Sequence, residues 1–301
     1  MTGQPALLVV GHGTRSRAGV DGFLALVDRV RARAPHLPAV GGGFIELAPP
    51  PLTDAVAGLV AQGHRQFVAV PLVLVGAGHS KGDIPAALHR EQLRNPGITY
   101  RYGRPLWPHA TVLSLLQERL DAVLDPADRG DTAVLLVGRG TTDPDANADV
   151  AKVARLLWEG RGLAFVEPAF VSLAWPDVPQ GLERCRLLGA RRVVVLPYFL
   201  FAGVLPDRLV AQARAWAAEH PDVEVRQADL IGDCDALADV VLERYAEVVG
   251  GDVRMNCDTC LYRVSLPGFT DRVGLPQTPH DHPDDPTDPH GHHHHDHTHA
   301  H

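Results

Sequence analysis

Val70-Pro-Leu-Val-Leu-Val-Gly-Ala-Gly-His-Ser-Lys-Gly-Asp-Ile-Pro85 is an unbroken apolar run that ends in a turn of small residues, with His79 just past the turn. Such a run reads as a strand buried on both faces, as in a parallel sheet. Ligands of open α/β sheets bind outside the carboxyl ends of the strands. His79 therefore stands where a protein of this class keeps its chemistry.

The flanking sequence has the same rhythm. Ala6 to Val10 is short and apolar and ends at Gly11-His12-Gly13-Thr14. Phe23, Leu24, Leu26, Val27 and Val30 then recur at helical spacing. A second strand, Ala39 to Ile45, leads into Glu46, and Pro49-Pro50-Pro51 opens a helix from Leu52 to Gln62. Beyond the opening stretch come a helix to about Leu93, a strand from Ile98 to Tyr102 and a helix from about His109 to Leu124. Strand and helix alternate throughout, which predicts a parallel sheet with helices on both faces and right-handed crossovers.

The pattern restarts after the linker-like segment Asp125 to Asp131. Thr132-Ala-Val-Leu-Leu-Val-Gly-Arg-Gly-Thr141 echoes Pro5-Ala-Leu-Leu-Val-Val-Gly-His-Gly-Thr14. Phe170-Val-Ser-Leu-Ala174 echoes Phe44-Ile-Glu-Leu-Ala48, and Val194 to Leu200 echoes Val68 to Leu74. Position 132 against 5 is an offset of 127; 170 against 44 and 194 against 68 are offsets of 126. A shared offset predicts two pseudo-symmetric flavodoxin-like α/β halves: residues 1–127 with the metal site, and a degenerate half over 128–250. A Cys-x-x-Cys segment at 251–270 and a tail at 271–301 follow. The tail, rich in Pro, Asp, His and Thr, lacks the apolar residues for a core and is expected to be disordered.

Composition narrows the function. The net charge is −8, and five acids with no Lys or Arg fall in residues 281–301. The balanced body lacks the basic stripe of a nucleic-acid binder. No apolar run is long enough to span a membrane, and the N-terminus lacks the pattern of a signal peptide, so a cytoplasmic location is expected. Four cysteines do not make a disulfide framework in a chain of 301 residues.

With strand order 2-1-3-4 in the first half, His12, Glu46 and His79 share one edge of the sheet. Two imidazoles and a carboxylate suit a borderline divalent metal, and imidazole serves cobalt, nickel, iron and zinc alike. The duplicate acts as an internal control. Its counterparts are Arg139, Ser172 and, allowing a short gap, Val204, so the scaffold is repeated while the metal-capable side chains are not. Gly11-His-Gly-Thr14 also reads as a phosphate-binding turn, but neither G-x-G-x-x-G nor a Walker lysine accompanies it.

Leu8-Val-Val-Gly-His-Gly-Thr-Arg-Ser16, Phe44-Ile-Glu-Leu-Ala-Pro-Pro-Pro51 and Leu72 to Pro85 resemble the three motifs of the class II tetrapyrrole chelatases. The match is best to the sirohydrochlorin cobaltochelatase family in its long, two-halved form, over about residues 6 to 265. The resemblance implies two α/β halves with a cleft between them. His12 and His79 would be metal and catalytic residues, assisted by Glu46. It implies insertion of a divalent metal substrate, Co2+ favoured over Fe2+ or Ni2+, into sirohydrochlorin for cobalamin biosynthesis. Iron insertion for siroheme and a non-catalytic metal chaperone are the alternatives. For a polycarboxylate substrate, Arg15, Arg17, Lys81 and Arg139 are the candidate cations. Met255-x-Cys257-x-x-Cys260 resembles the segment that carries an iron–sulfur centre in the long form. Two thiolates need further ligands, from Cys185, Cys234 or a second subunit, and the last of these would call for a homodimer. The His-rich tail is expected to bind Co, Ni or Zn loosely.

Overall fold

The computed structural model describes residues 3–252 and 265–273, with His79 and Arg272 described by backbone alone. The first half runs β1 (Ala6–Gly11), α1 (Arg17–Arg33), β2 (Val40–Phe44), α2 (Leu52–Ala61) and β3 (Gln66–Pro71). A short π-helix (His79–Asp83), α3 (Ile84–Arg94), β4 (Thr99–Tyr102) and α4 (Ala110–Asp121) complete it. The second half runs β5 (Thr132–Gly138), α5 (Pro144–Trp158), β6 (Phe165–Phe170), α6 (Val178–Leu187), β7 (Arg192–Pro197), α7 (Val204–Glu219), β8 (Glu224–Gln227) and α8 (Asp235–Gly250).

All strand pairs are parallel, in orders β2-β1-β3-β4 and β6-β5-β7-β8. The order expected for the first half holds, and the second half repeats it. Every residue of β1 and β5 is buried, because helices cover both faces. Alternate residues of β1 serve different cores. Leu7 and Val9 join a cluster that continues through Val134, Leu136, Val241 and Tyr245 of the second half. Ala6, Leu8 and Val10 face a separate outer core under α2 and α3.

The shared inner core exists because each half lends its last helix to the other. In α8, the Tyr245 hydroxyl donates to the Pro5 carbonyl at 2.6 Å, and Arg101 in β4 donates to the Val248 carbonyl at 2.9 Å. Arg29 and Arg33 of α1 pair with Asp235 and Asp239 at the start of α8. Reciprocally, Arg119 of α4 donates to the carbonyls of Leu230 and Ile231 at 2.8 and 2.7 Å. The backbone connection lies in sequence order while the packing is crossed: α1 and α5 cover part of the inner face of their own sheets, and a helix of the other half completes each.

Arg244 anchors this exchange. Its guanidinium is fully buried and donates to the carbonyls of Pro105, Leu106 and Pro108, with Glu247 as its carboxylate. Glu247 also accepts from Arg104 at 2.7 Å. A buried cation stripped of water is stable only with partners of this kind. Arg244→Ala leaves three carbonyls and the carboxylate of Glu247 underbonded. It should cost about 3–5 kcal/mol in equilibrium urea unfolding; a loss within ~0.5 kcal/mol would show that α8 is not held this way.

Candidate active site

The loops at the carboxyl ends of the two sheets meet. A Cβ placed on Gly19, in the first turns of α1, would lie 2.3 Å from the Ala202 carbonyl oxygen, in the loop after β7. On the other side, Lys81 in the turn after β3 reaches Asp143 and Asp145 at the start of α5, with Nζ–O distances of 2.7 and 3.0 Å. The opposed carboxyl edges are therefore joined at both flanks.

His12 follows β1 and Glu46 follows β2. What brings them together is backbone approach. Gly13 has φ +114°, and a Cβ there would lie 1.8 Å from the Glu46 carbonyl oxygen. The Ile45 and Glu46 amides donate to the carbonyls of Gly11 and His12, extending the β1–β2 pairing to the site. The second glycine of Gly-His-Gly is thus a steric requirement, since it has both the left-handed φ and no room for a side chain. His12 Nε2 then stands 2.9 Å from Glu46 Oε1, and Nδ1 lies 3.2 Å from the Gly13 carbonyl. In the tautomer with Nδ1–H donating to that carbonyl, Nε2 is the unprotonated nitrogen and carries the lone pair that a metal ligand needs. Two donors at that separation subtend roughly 90° at a first-row ion about 2.1 Å from each, so the pair matches two neighbouring positions of a metal's coordination shell. The carboxylate is 53% exposed, whereas the imidazole is 22% exposed and its Nε2 atom is buried.

His79 opens the π-helix that follows the loop after β3. The turn is well anchored: Ser80 is buried, its hydroxyl donates to the Ala77 carbonyl, and its own carbonyl accepts from Tyr102 Oη at 2.8 Å. Burial pushes the Tyr102 phenol upward, so it remains a donor at neutral pH. Among the described residues no group of three or more His, Cys, Asp or Glu side chains converges as a metal cluster. The pair His12–Glu46 is what the described side chains bring together.

The duplicate half repeats the scaffold with other chemistry. A Cβ on Gly140 would lie 1.8 Å from the Ser172 carbonyl oxygen, and the Val171 and Ser172 amides donate to Gly138 and Arg139. Arg139 and Ser172 thus stand in the places of His12 and Glu46.

The candidate cations divide. Arg15 and Arg139 are exposed, whereas Arg17 pairs with Asp21 one turn on. Lys81 is engaged across the halves: its hydrogen bonds to Asp143 and Asp145 hold its ammonium above the usual lysine range, and Lys81 holds Asp143 below the usual carboxylate range. A lowered Asp143 loses the bridge only as pH falls through its reduced value. A raised Lys81 loses it only as pH rises through its increased one. The bridge is therefore closed throughout the neutral range, and any carboxylate seeking Lys81 competes with two others. Asp143 and Asp145 are the participants that sequence reading missed. Cys185 is buried in α6, where burial pushes its thiol up to about 12, which makes it a poor metal ligand. Cys257 and Cys260 lie outside the described residues, as does the His-rich tail.

Comparison with known proteins decides the family. The CbiX family model matches residues 6–123 and again 133–248, once for each half. The chain belongs to the CbiX family. It is 38% identical over 265 residues to a sirohydrochlorin cobaltochelatase of Priestia megaterium, covering 87% of this chain and 85% of that one. It is 31% identical over 238 residues to a sirohydrochlorin ferrochelatase of the same organism, covering 78% and 87%. Among solved structures, it resembles the sirohydrochlorin chelatase SirB of Bacillus subtilis subspecies spizizenii in complex with cobalt. That match has a TM-score of 0.69 and 26% identity, covering 83% of this chain and 97% of that one. This CbiX-family chain thus shares a two-half α/β chelatase architecture with SirB. Among the described residues no helix is long and apolar enough to cross a membrane.

The close approach makes a paired prediction. Gly13→Ala and Gly140→Ala should each cost at least about 1 kcal/mol in urea unfolding, because both force a methyl group into a carbonyl oxygen at positive φ. A fully stable Gly13→Ala protein would show that the turn does not need this approach.

Proposed function

We propose that this CbiX-family protein inserts cobalt, as Co2+, into sirohydrochlorin. The observation that carries the proposal is the His12–Glu46 pair, 2.9 Å apart at the carboxyl edge of one half, where the duplicate half has Arg139 and Ser172. The most extended similarity given above, to a cobaltochelatase, supports cobalt as the metal.

Insertion exchanges two pyrrole N–H protons for one divalent ion. A site for it needs a donor that binds the ion and then gives it up, and bases that take the protons. Neutral imidazole does both, with an unperturbed pKa of about 6.5. In this reading His12 Nε2 and Glu46 receive the metal substrate, with His79 as the second imidazole from the neighbouring strand end. As the ion passes to the four ring nitrogens, the Nε2 lone pair is freed and accepts one proton. Glu46, half exposed, accepts the other or passes it to water.

The substrate's carboxylates call for cations with free forks. Arg139 is the strongest of the four candidates: it is exposed and replaces the ligand that the second half lacks. Lys81 serves instead to hold the His79 turn against α5.

Anaerobic insertion of Co2+, Fe2+ and Ni2+ into sirohydrochlorin, followed by the change in visible spectrum, tests the reading. His12→Ala and His79→Ala should each lower kcat by at least about 100-fold with cobalt. Near-normal rates in either would remove that residue from the site. An unchanged spectrum with wild-type protein would favour the chaperone reading, and faster turnover with Fe2+ the siroheme one. Arg139→Ala should raise KM for sirohydrochlorin more than it lowers kcat, by about tenfold for a charge-assisted contact; an unchanged KM would take Arg139 out of the binding set.

A further inference from the structure

The residue after Glu46 is Leu47, and its backbone is left-handed, with φ +65°. The Ala48 amide donates to the Glu46 carbonyl at 2.8 Å, closing a three-residue γ-turn with Leu47 at its tip. The second half repeats it: Leu173 has φ +63°, and the Ala174 amide donates to the Ser172 carbonyl at 2.8 Å. Among the described residues these two leucines are the non-glycine residues at positive φ.

A leucine there works against the fold. A β carbon in the left-handed region is strained, and glycine removes the strain. The chain uses glycine at its other positive-φ positions, Gly13 and Gly140 among them. Nor is the strain offset by packing within the protein, since Leu47 is 49% and Leu173 66% exposed. Folding therefore does not explain the leucines. Metal chemistry does not explain them either, because Leu173 sits beside Ser172, where the ligand pair is absent.

What both positions share is their place. Each tip follows a strand at the carboxyl edge of its sheet, and those edges are the ones that the contacts Lys81–Asp143 and Gly19–Ala202 bring face to face. Leu47 is one residue from the carboxylate that pairs with His12. In the second half, Trp175, two residues past Leu173, is also exposed. We propose that Leu47 and Leu173 are substrate-contacting residues, whose side chains rest against the apolar face of the bound macrocycle while cations take its carboxylated rim. The assignment rests on the tetrapyrrole reading above. It adds that strain is retained at two turns to hold apolar contacts out of the fold and in the path of the substrate.

The test is the affinity for metal-free sirohydrochlorin, titrated by its own visible absorbance, beside thermal unfolding. Leu47→Gly and Leu173→Gly should each weaken binding by about tenfold, the value of one well-buried aliphatic side chain, while Tm stays level or rises. Leu47→Ala, which keeps the β carbon and its strain, should weaken binding without raising Tm. Leu47→Met, which restores an apolar chain of similar volume, should bind within about threefold of wild type. Unchanged binding in Leu47→Gly, or a fall in its Tm, overturns the assignment for Leu47; the same results in Leu173→Gly overturn it for Leu173. A wild-type protein that binds no sirohydrochlorin would instead overturn the tetrapyrrole reading itself.

Discussion

The site depends on one steric fact: the backbone at Gly13 lies against the carbonyl oxygen of Glu46 with no space for a side chain between them. That approach draws the turn after β1 onto the end of β2. It sets His12 Nε2 within hydrogen-bonding distance of Glu46 Oε1. Gly140 and the carbonyl of Ser172 reproduce the approach in the second half, where no imidazole or carboxylate is carried on it. The contact therefore belongs to the fold, and the chemistry belongs to two side chains placed on it.

The frame around that contact is stiff where the two halves share material. α8 completes the first half and α4 the second, and a single core runs between the sheets. Arg244, buried among three carbonyls and Glu247, ties the exchanged helix to the loop before α4. At the carboxyl edges the ties are lighter. Lys81 meets Asp143 and Asp145 with about half of its side chain in water, so that bridge is screened by salt and open to competition from other anions. A firm interior with loosely held edges suits a protein that admits a large flat ligand and lets it go.

Much of this was legible in the sequence because it follows local periodicity or simple repetition. Apolar runs gave the strands, the shared offset gave the two halves, and the flavodoxin-like order 2-1-3-4, assumed for the first half and found there, places His12 beside Glu46. Other features have no local signature. The exchange of α4 and α8 is a choice of packing partner, and both helices look equally amphipathic in either arrangement. Lys81 reads as a free cation, because its partners lie 62 and 64 residues away. His109 looks like an ordinary helix-end residue, yet its Nδ1 caps α4 and its Nε2 reaches Glu243 of α8. Leu47 and Leu173 look like core residues by composition, and only their φ angles and exposure set them apart.

The most direct measurement of the central claim is a cobalt-edge anomalous difference map from crystals of the full chain exposed to Co2+. The account predicts a peak about 2.1 Å from both His12 Nε2 and Glu46 Oε1, with no counterpart beside Arg139 and Ser172. Cobalt confined to the C-terminal histidines, with the His12–Glu46 pair still in direct contact, would contradict it.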